Sequence, residues 1–258
     1  MISRVNVNEI PAIFIEDETR DSMLKPIIFV FHRLLEDKER ELSIDYKLAK
    51  LGFFVVGIDM YGHGERRINS NSKYNFNNLV KDSYMTACDI SSVLNFLKEK
   101  MRDKLDFNNI GVVGISNGAN TALIAGHLYD EIKYAVSIIG VINWENIIHK
   151  YSFNYFRHFS VFSEVMNIDD VLLDVSKYEP INKYNESNLI PILFLNGNLD
   201  TTMPPKTLQD YYNKFKDIFK KSNRENELTF IGYPYAGHEV TNEMITDLVK
   251  WIKSLPVS

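Results

Sequence analysis

Two hydrophobic rhythms alternate along most of this chain. Short, nearly unbroken runs of β-branched and aromatic residues occupy 27–32 (IIFVFH), 53–59 (FFVVGID), 110–116 (IGVVGIS), 134–142 (YAVSIIGVI), 190–197 (IPILFLNG) and 227–234 (ELTFIGYP). Runs of that length with no polar alternation predict strands buried on both faces. Between them, apolar positions recur at helical spacing over 38–52, about 77–101, from near Asn117, about 205–221 and about 239–254. Those stretches predict amphipathic helices, the first ended by Gly52. Regular strand–helix alternation predicts a mostly parallel sheet covered on both faces. Near the start, 12–16 (AIFIE) predicts an antiparallel edge strand. One stretch breaks the rhythm: about 143–187 is far longer than a single crossover needs, and it carries Trp144, Phe153, Phe156 and Phe159. It reads either as a helical decoration packing its own aromatics or as a cap over the carboxyl ends of the strands, where open α/β sheets bind ligands.

Composition narrows the class. With 258 residues, 45% hydrophobic and 24% charged, the chain suits one α/β domain, 1–258, with the insertion at about 143–187 expected as its cap or lid. Neither an internal repeat nor a linker points to a second domain. The net charge of −5, with no basic stripe, argues against nucleic acid or an anionic membrane as partner. The only cysteine, Cys88, rules out an intramolecular disulfide or a CxxC metal site, and its helical spacing places it in the core. No apolar run is long enough to span a membrane and no secretion signal opens the sequence, so a cytoplasmic monomer or homodimer is expected. His127, His149 and His158 lack metal-ligand spacing, and neither a Walker A nor a G-x-G-x-x-G pattern is present. No cofactor is expected.

The chemistry concentrates at strand ends. In GISNG, Ser116 sits where an apolar run meets a helix, with Gly114 and Gly118 two residues to either side. A serine on such an elbow is held in a strained backbone, and side chains at the two glycine positions would collide with neighbouring elements. Serine alone is a weak nucleophile; it needs a base near neutrality and an acid to fix that base's tautomer. Asp200, past the strand at 190–197, and His238, past the strand at 227–234, are the candidates. Glu145 is the alternative acid, His32 and His63 the rival bases, and Asp200 also reads as a plain turn aspartate. The chain order serine, aspartate, histidine is that of the α/β-hydrolases.

On these motifs, together with PIIFVFHR, GFFVVGIDMYGHGER, GNLDTTMP and AGH, the chain resembles the α/β-hydrolases over nearly its whole length. Among them it is most similar to the small bacterial serine acyl esterases of the dienelactone-hydrolase-like and prolyl-oligopeptidase-like branch. The resemblance implies the α/β-hydrolase fold: a mostly parallel twisted sheet of about eight strands, helices on both faces and a helical cap. It implies acyl transfer to water from a small-molecule acyl ester, with Ser116 as nucleophile, His238 as base and Asp200 as acid. The oxyanion would be held by the backbone N–H of Asn117 and by one just after His32, that of Arg33. Relatives usually carry His-Gly there. Arg33 is therefore expected to sit in a strained left-handed backbone, to enter the site and meet an anionic substrate group, or to face solvent. His32, Trp144, Phe153, Phe156 and Phe159 are the expected substrate-binding residues, with a preference for short acyl chains. Gly62 and Gly64 are expected to shape a turn. A thioesterase, a peptidase or a non-catalytic ligand-binding protein on the same fold are the alternatives.

Overall fold

A computed structural model describes residues 1–20, 24–67, 78–140 and 168–255. Its frame is one eight-stranded sheet formed by β1 (Ile2–Val7), β2 (Ile10–Ile15), β3 (Lys25–Phe31), β4 (Phe54–Ile58), β5 (Leu105–Ile115), β6 (Ile132–Ile138), β7 (Ile192–Gly197) and β8 (Leu228–Tyr233). The spatial order is β1-β2-β4-β3-β5-β6-β7-β8. From β4 through β8 every pairing is parallel; β2 pairs antiparallel with both β1 and β4. After β4 the chain crosses to the other side of β3 and continues outward from β5. The β3/β5 junction is thus the switch point, where connections leave in opposite directions and open a crevice beyond the carboxyl ends of the strands.

Helices α1 (Leu42–Lys50), α2 (Leu79–Lys100), α3 (Gly118–Leu128), α4 (Ile168–Tyr178), α5 (Pro205–Lys221) and α6 (Asn242–Ser254) complete the described residues. They cover both faces. On one, Ile90 and Val93 of α2, Leu123 of α3 and Phe215 and Phe219 of α5 pack on Phe29, Val112 and Phe194. On the other, Ile44 and Leu48 of α1 with Met244 and Leu248 of α6 pack on Ile28, Val113 and Leu195. Neighbouring strand residues fall into opposite clusters, as the period-two pleat demands.

Two expectations need correction. The segment 12–16 is an interior strand, because β1 lies outside it. β1 escaped notice since two of its three exposed positions, Arg4 and Asn6, are polar and the strand is only partly buried. Asn8 and Glu9 close this hairpin at φ 49° and 70°. Cys88 is only half-buried; it lies on the flank of α2, where its carbonyl accepts the Tyr129 hydroxyl. Burial still raises its thiol pKa. Within the insertion, 168–187 is described and sits on the α2–α5 face. The Tyr178 ring of α4 packs against that of Tyr84 of α2, centres 4.5 Å apart and planes tilted by 33°, and the Ile181 N–H donates to the Tyr211 hydroxyl of α5. Trp144, Glu145, His149, Phe153, Phe156, His158 and Phe159 lie outside the described residues. Among the described residues no helix is long and apolar enough to cross a membrane.

Candidate active site

Ser116 occupies the turn between β5 and α3 at φ 54°, a conformation that costs an L-residue roughly 1–2 kcal/mol. Its neighbours hold it there. The Ser116 N–H donates to the Ile138 carbonyl. A Cβ on Gly114 would stand 2.0 Å from the Gly118 carbonyl oxygen, and one on Gly118 would stand 2.3 Å from that of Phe31. The two glycines therefore let the start of α3 settle onto the ends of β5 and β3. Gly140, which the sequence did not single out, has the same function: a Cβ there would meet the Ser116 carbonyl oxygen at 2.3 Å.

From this elbow a row of hydrogen bonds runs across the sheet. The Ser116 hydroxyl donates to His238 Nε2 at 3.0 Å, and His238 Nδ1–H donates to Asp200 Oδ2 at 2.8 Å. Asp200 Oδ1 accepts the N–H groups of Thr202 at 2.9 Å and Met203 at 2.7 Å. Three donors thus surround a carboxylate that is fully buried, while the histidine remains 22% exposed. With Nδ1–H committed to Asp200, the lone pair of Nε2 faces the serine. The acid and base loops are joined by backbone: Asn198 N–H donates to the Tyr233 carbonyl and Leu199 N–H to that of Ala236. Gly197 permits the close approach, since a Cβ there would lie 2.4 Å from the Ala236 and Gly237 oxygens.

Asn117 is the N-cap of α3, so its N–H lacks an intrahelical acceptor and stands at the positive end of the helix. Gly118 brings the Phe31 and His32 carbonyls against the elbow, which places the His32–Arg33 peptide next to Ser116. Arg33 is not strained: the positive φ in this loop belongs to Leu35, at 65°. Nor does its side chain face open solvent. The guanidinium pairs with Glu41 at the start of α1, Nε to Oε1 at 2.9 Å.

The two rival histidines are spoken for. His32 is 1% exposed; its Nδ1–H donates to the Arg33 carbonyl and its Nε2 accepts the Met60 N–H. In this structure the ring joins β3 to β4 and serves backbone groups rather than a ligand. His63 is buried with Nδ1 on the Tyr61 carbonyl at 2.7 Å, and burial lowers its pKa to about 4. The loop that carries it turns at Gly62 and Gly64, φ 70° and 51°, as expected. It is fastened by Asp59, which accepts the Glu65 N–H and pairs with Lys38. His127 stands against the Tyr184 ring, and no trio of candidate metal ligands gathers among the described residues.

Comparison with known proteins places this chain in a hydrolase family. The family model described as BAAT / Acyl-CoA thioester hydrolase C terminal matches residues 92–242. A Bacillus subtilis (strain 168) protein named "Putative esterase YitV" is 25% identical over 267 residues, covering 98% of each chain. TT1662 from Thermus thermophilus superposes with a TM-score of 0.68 at 18% identity, covering 99% of both chains. The Pyrococcus furiosus esterase Pf2001 does so with a TM-score of 0.65 at 18% identity, covering 98% of this chain and 91% of that one.

Proposed function

Because the chain belongs to the BAAT / acyl-CoA thioester hydrolase C-terminal family of the α/β-hydrolase superfamily, we propose that it is a serine-dependent carboxylic ester hydrolase. One observation carries this reading: a serine at φ 54° whose hydroxyl meets a histidine oriented by a buried aspartate. Ser116 attacks the acyl carbonyl as its proton passes to His238 Nε2. Asp200 stabilises the imidazolium and keeps the ring oriented. The Asn117 and Arg33 N–H groups receive the developing oxyanion. His238 then protonates the leaving alcohol and activates the water that clears the acyl-enzyme.

Family membership supports a second reading of the same centre, a thioesterase, because the family's description names acyl-CoA thioester hydrolases. The two share every step except the leaving atom. Hydrolysis of p-nitrophenyl acetate to decanoate, set beside the matching acyl-CoA thioesters, separates them. Higher kcat/KM for the oxygen esters at each chain length supports the esterase; the reverse supports the thioesterase. A fluorophosphonate that fails to label Ser116 would remove both.

The insertion at 143–187 is the proposed cap over this centre, in a single-domain chain. Its aromatic content supports an apolar wall, each methylene buried against which contributes about 0.8 kcal/mol. Acetyl to butyryl esters are then the best substrates. Phe153→Ala, Phe156→Ala or Phe159→Ala should move the preference toward longer chains; an unchanged profile in all three would assign those rings to the insertion's own packing.

A further inference from the structure

The loops that bring the acid and the base to Ser116 also carry two uncovered apolar side chains. Tyr235, on the loop after β8, is 92% exposed, the most of any large apolar residue among those described, and Leu199, on the loop after β7, is 60% exposed. Neither belongs to the core on either face of the sheet. Their backbones are nonetheless fixed. The Leu199 N–H donates to the Ala236 carbonyl at 2.9 Å, and the Ala236 N–H donates to that of Tyr233 at 3.3 Å, closing a turn with Pro234 and Tyr235 at its centre. Proline presets the first of those positions, and the Tyr233 hydroxyl ties the turn to Asp247 of α6 at 2.9 Å. A platform held in this way gives up little backbone freedom when something covers it.

The chemistry of the centre points to what covers it. His238 Nε2 receives the Ser116 proton across a 3.0 Å hydrogen bond and returns it to the leaving oxygen. The alcohol therefore departs on the histidine side of the carbonyl, away from the Asn117 and Arg33 N–H groups that take the oxyanion. Leu199 adjoins Asp200 in the chain, and Tyr235 is three residues from His238, so their Cα atoms lie within about 4 Å and about 11 Å of those two catalytic residues. A leaving group of one or two carbons stops short of both side chains, whereas a fused-ring alcohol extends along the loops toward them.

Resting on the hydrolase reading, we propose that Leu199 and Tyr235 form the leaving-group subsite of this centre and that its substrates are esters of planar, largely apolar alcohols. The alcohol's ring lies against the face of Tyr235 and the methyl groups of Leu199, gaining both area burial and ring stacking. The acyl part stays on the other side of the carbonyl. The two residues thus select the alcohol, independently of whatever sets the acyl length.

The test compares ethyl, phenyl and 2-naphthyl acetate on the full chain. All three pass through the same acetyl-Ser116, so deacylation is common to them and a contact with the alcohol shows in kcat/KM. Dividing variant by parent for each ester cancels its intrinsic reactivity. Tyr235→Ser and Leu199→Ala should each lower kcat/KM for 2-naphthyl acetate about fivefold or more, for phenyl acetate by less, and for ethyl acetate by less than about twofold. Tyr235→Phe keeps the ring and should match the parent on all three. Labelling of Ser116 by a fluorophosphonate, whose leaving group is fluoride, should proceed at the parent rate in every variant. Equal losses on ethyl and 2-naphthyl acetate would mean that the substitutions disturb His238 instead, and would overturn the subsite. So would unchanged rates on all three esters, or a Tyr235→Phe variant as impaired as Tyr235→Ser. A parent chain that hydrolyses none of the acetates and escapes the label would remove the hydrolase reading and the subsite with it.

Discussion

Two loop pairs bring histidines to the same crevice and equip them differently. After β7 and β8, His238 finds a buried carboxylate on Nδ1 and keeps Nε2 for Ser116. After β3 and β4, His32 finds only peptide groups, a carbonyl on one nitrogen and an N–H on the other, while His63 bonds the Tyr61 carbonyl. Burial lowers the pKa of both. An imidazole can act as a base at a serine only if one nitrogen is free to accept and the charge it gains has a counter-ion nearby. The first pair meets both conditions. The second holds its rings neutral and uses them as fasteners.

The largest expected effect breaks this comparison most directly. His238→Ala should lower kcat for the best p-nitrophenyl ester by on the order of 10³-fold or more, because base and nucleophile act as a unit. Ser116→Ala should do as much. His63→Ala, tested for its fold by circular dichroism, should keep most of the activity. A loss with His63→Ala and not with His238→Ala would exchange the roles of the two loop pairs.

Next comes the counter-ion. Asp200→Asn retains the shape but presents an amide, so Nδ1 no longer has its acceptor and the ring is free to reverse its tautomer; a fall in kcat on the order of 10²–10⁴-fold is expected with KM little changed. A change confined to KM would make Asp200 a plain turn residue, satisfied by the Thr202 and Met203 amides.

The difference between the loop pairs was partly legible in the chain. GISNG announced the elbow because its demands are local: Gly114 and Gly118 touch across a single turn. Strand runs announced the parallel sheet for the same reason. What depends on distant partners was hidden. Arg33 gave no sign that Glu41 would take its guanidinium, since the start of α1 is set by packing. His32 could not be separated from a substrate-binding residue until β4 brought the Met60 N–H to its ring. Gly140 looked like any strand-end glycine until β6 carried it under Ser116. β1 stayed hidden because two of its three exposed positions are polar.

A smaller effect should appear in stability rather than rate. His63 has a folded pKa of about 4 against about 6.5 unfolded. Between those values the unfolded chain binds more protons, so this group's contribution is complete above about pH 6.5 and is lost as pH falls toward 4, by about 1.4 kcal/mol per pH unit at most. Buried acids such as Asp45, whose pKa burial raises, act with the opposite sign, so the difference between chains is the useful quantity. Urea unfolding at pH 7, 6 and 5 should show His63→Asn losing less stability on acidification than the parent chain. Parallel losses would mean that His63 is protonated in the folded state.

The smallest expected effect concerns Arg33, where the second loop pair comes closest to the chemistry. Its backbone N–H is a proposed oxyanion donor, yet its side chain is turned to Glu41. Glu41 is buried, and desolvation raises its carboxyl pKa even with the guanidinium beside it. Removing the cation leaves that carboxyl buried near Asp45, whose own carboxyl has no hydrogen-bond partner among the described residues. Arg33→Ala should therefore cost about 1–3 kcal/mol of stability. The N–H survives the substitution, so kcat on a neutral ester should change less than about threefold. An ester bearing a carboxylate on its acyl chain decides the remaining question. If the guanidinium only holds the start of α1, the ratio of kcat/KM for charged and neutral esters is the same in both chains. If it leaves Glu41 to meet the substrate, Arg33→Ala lowers that ratio by about tenfold or more, the worth of a charge-assisted contact. That result would make the second loop pair a reader of substrate charge as well as a fastener.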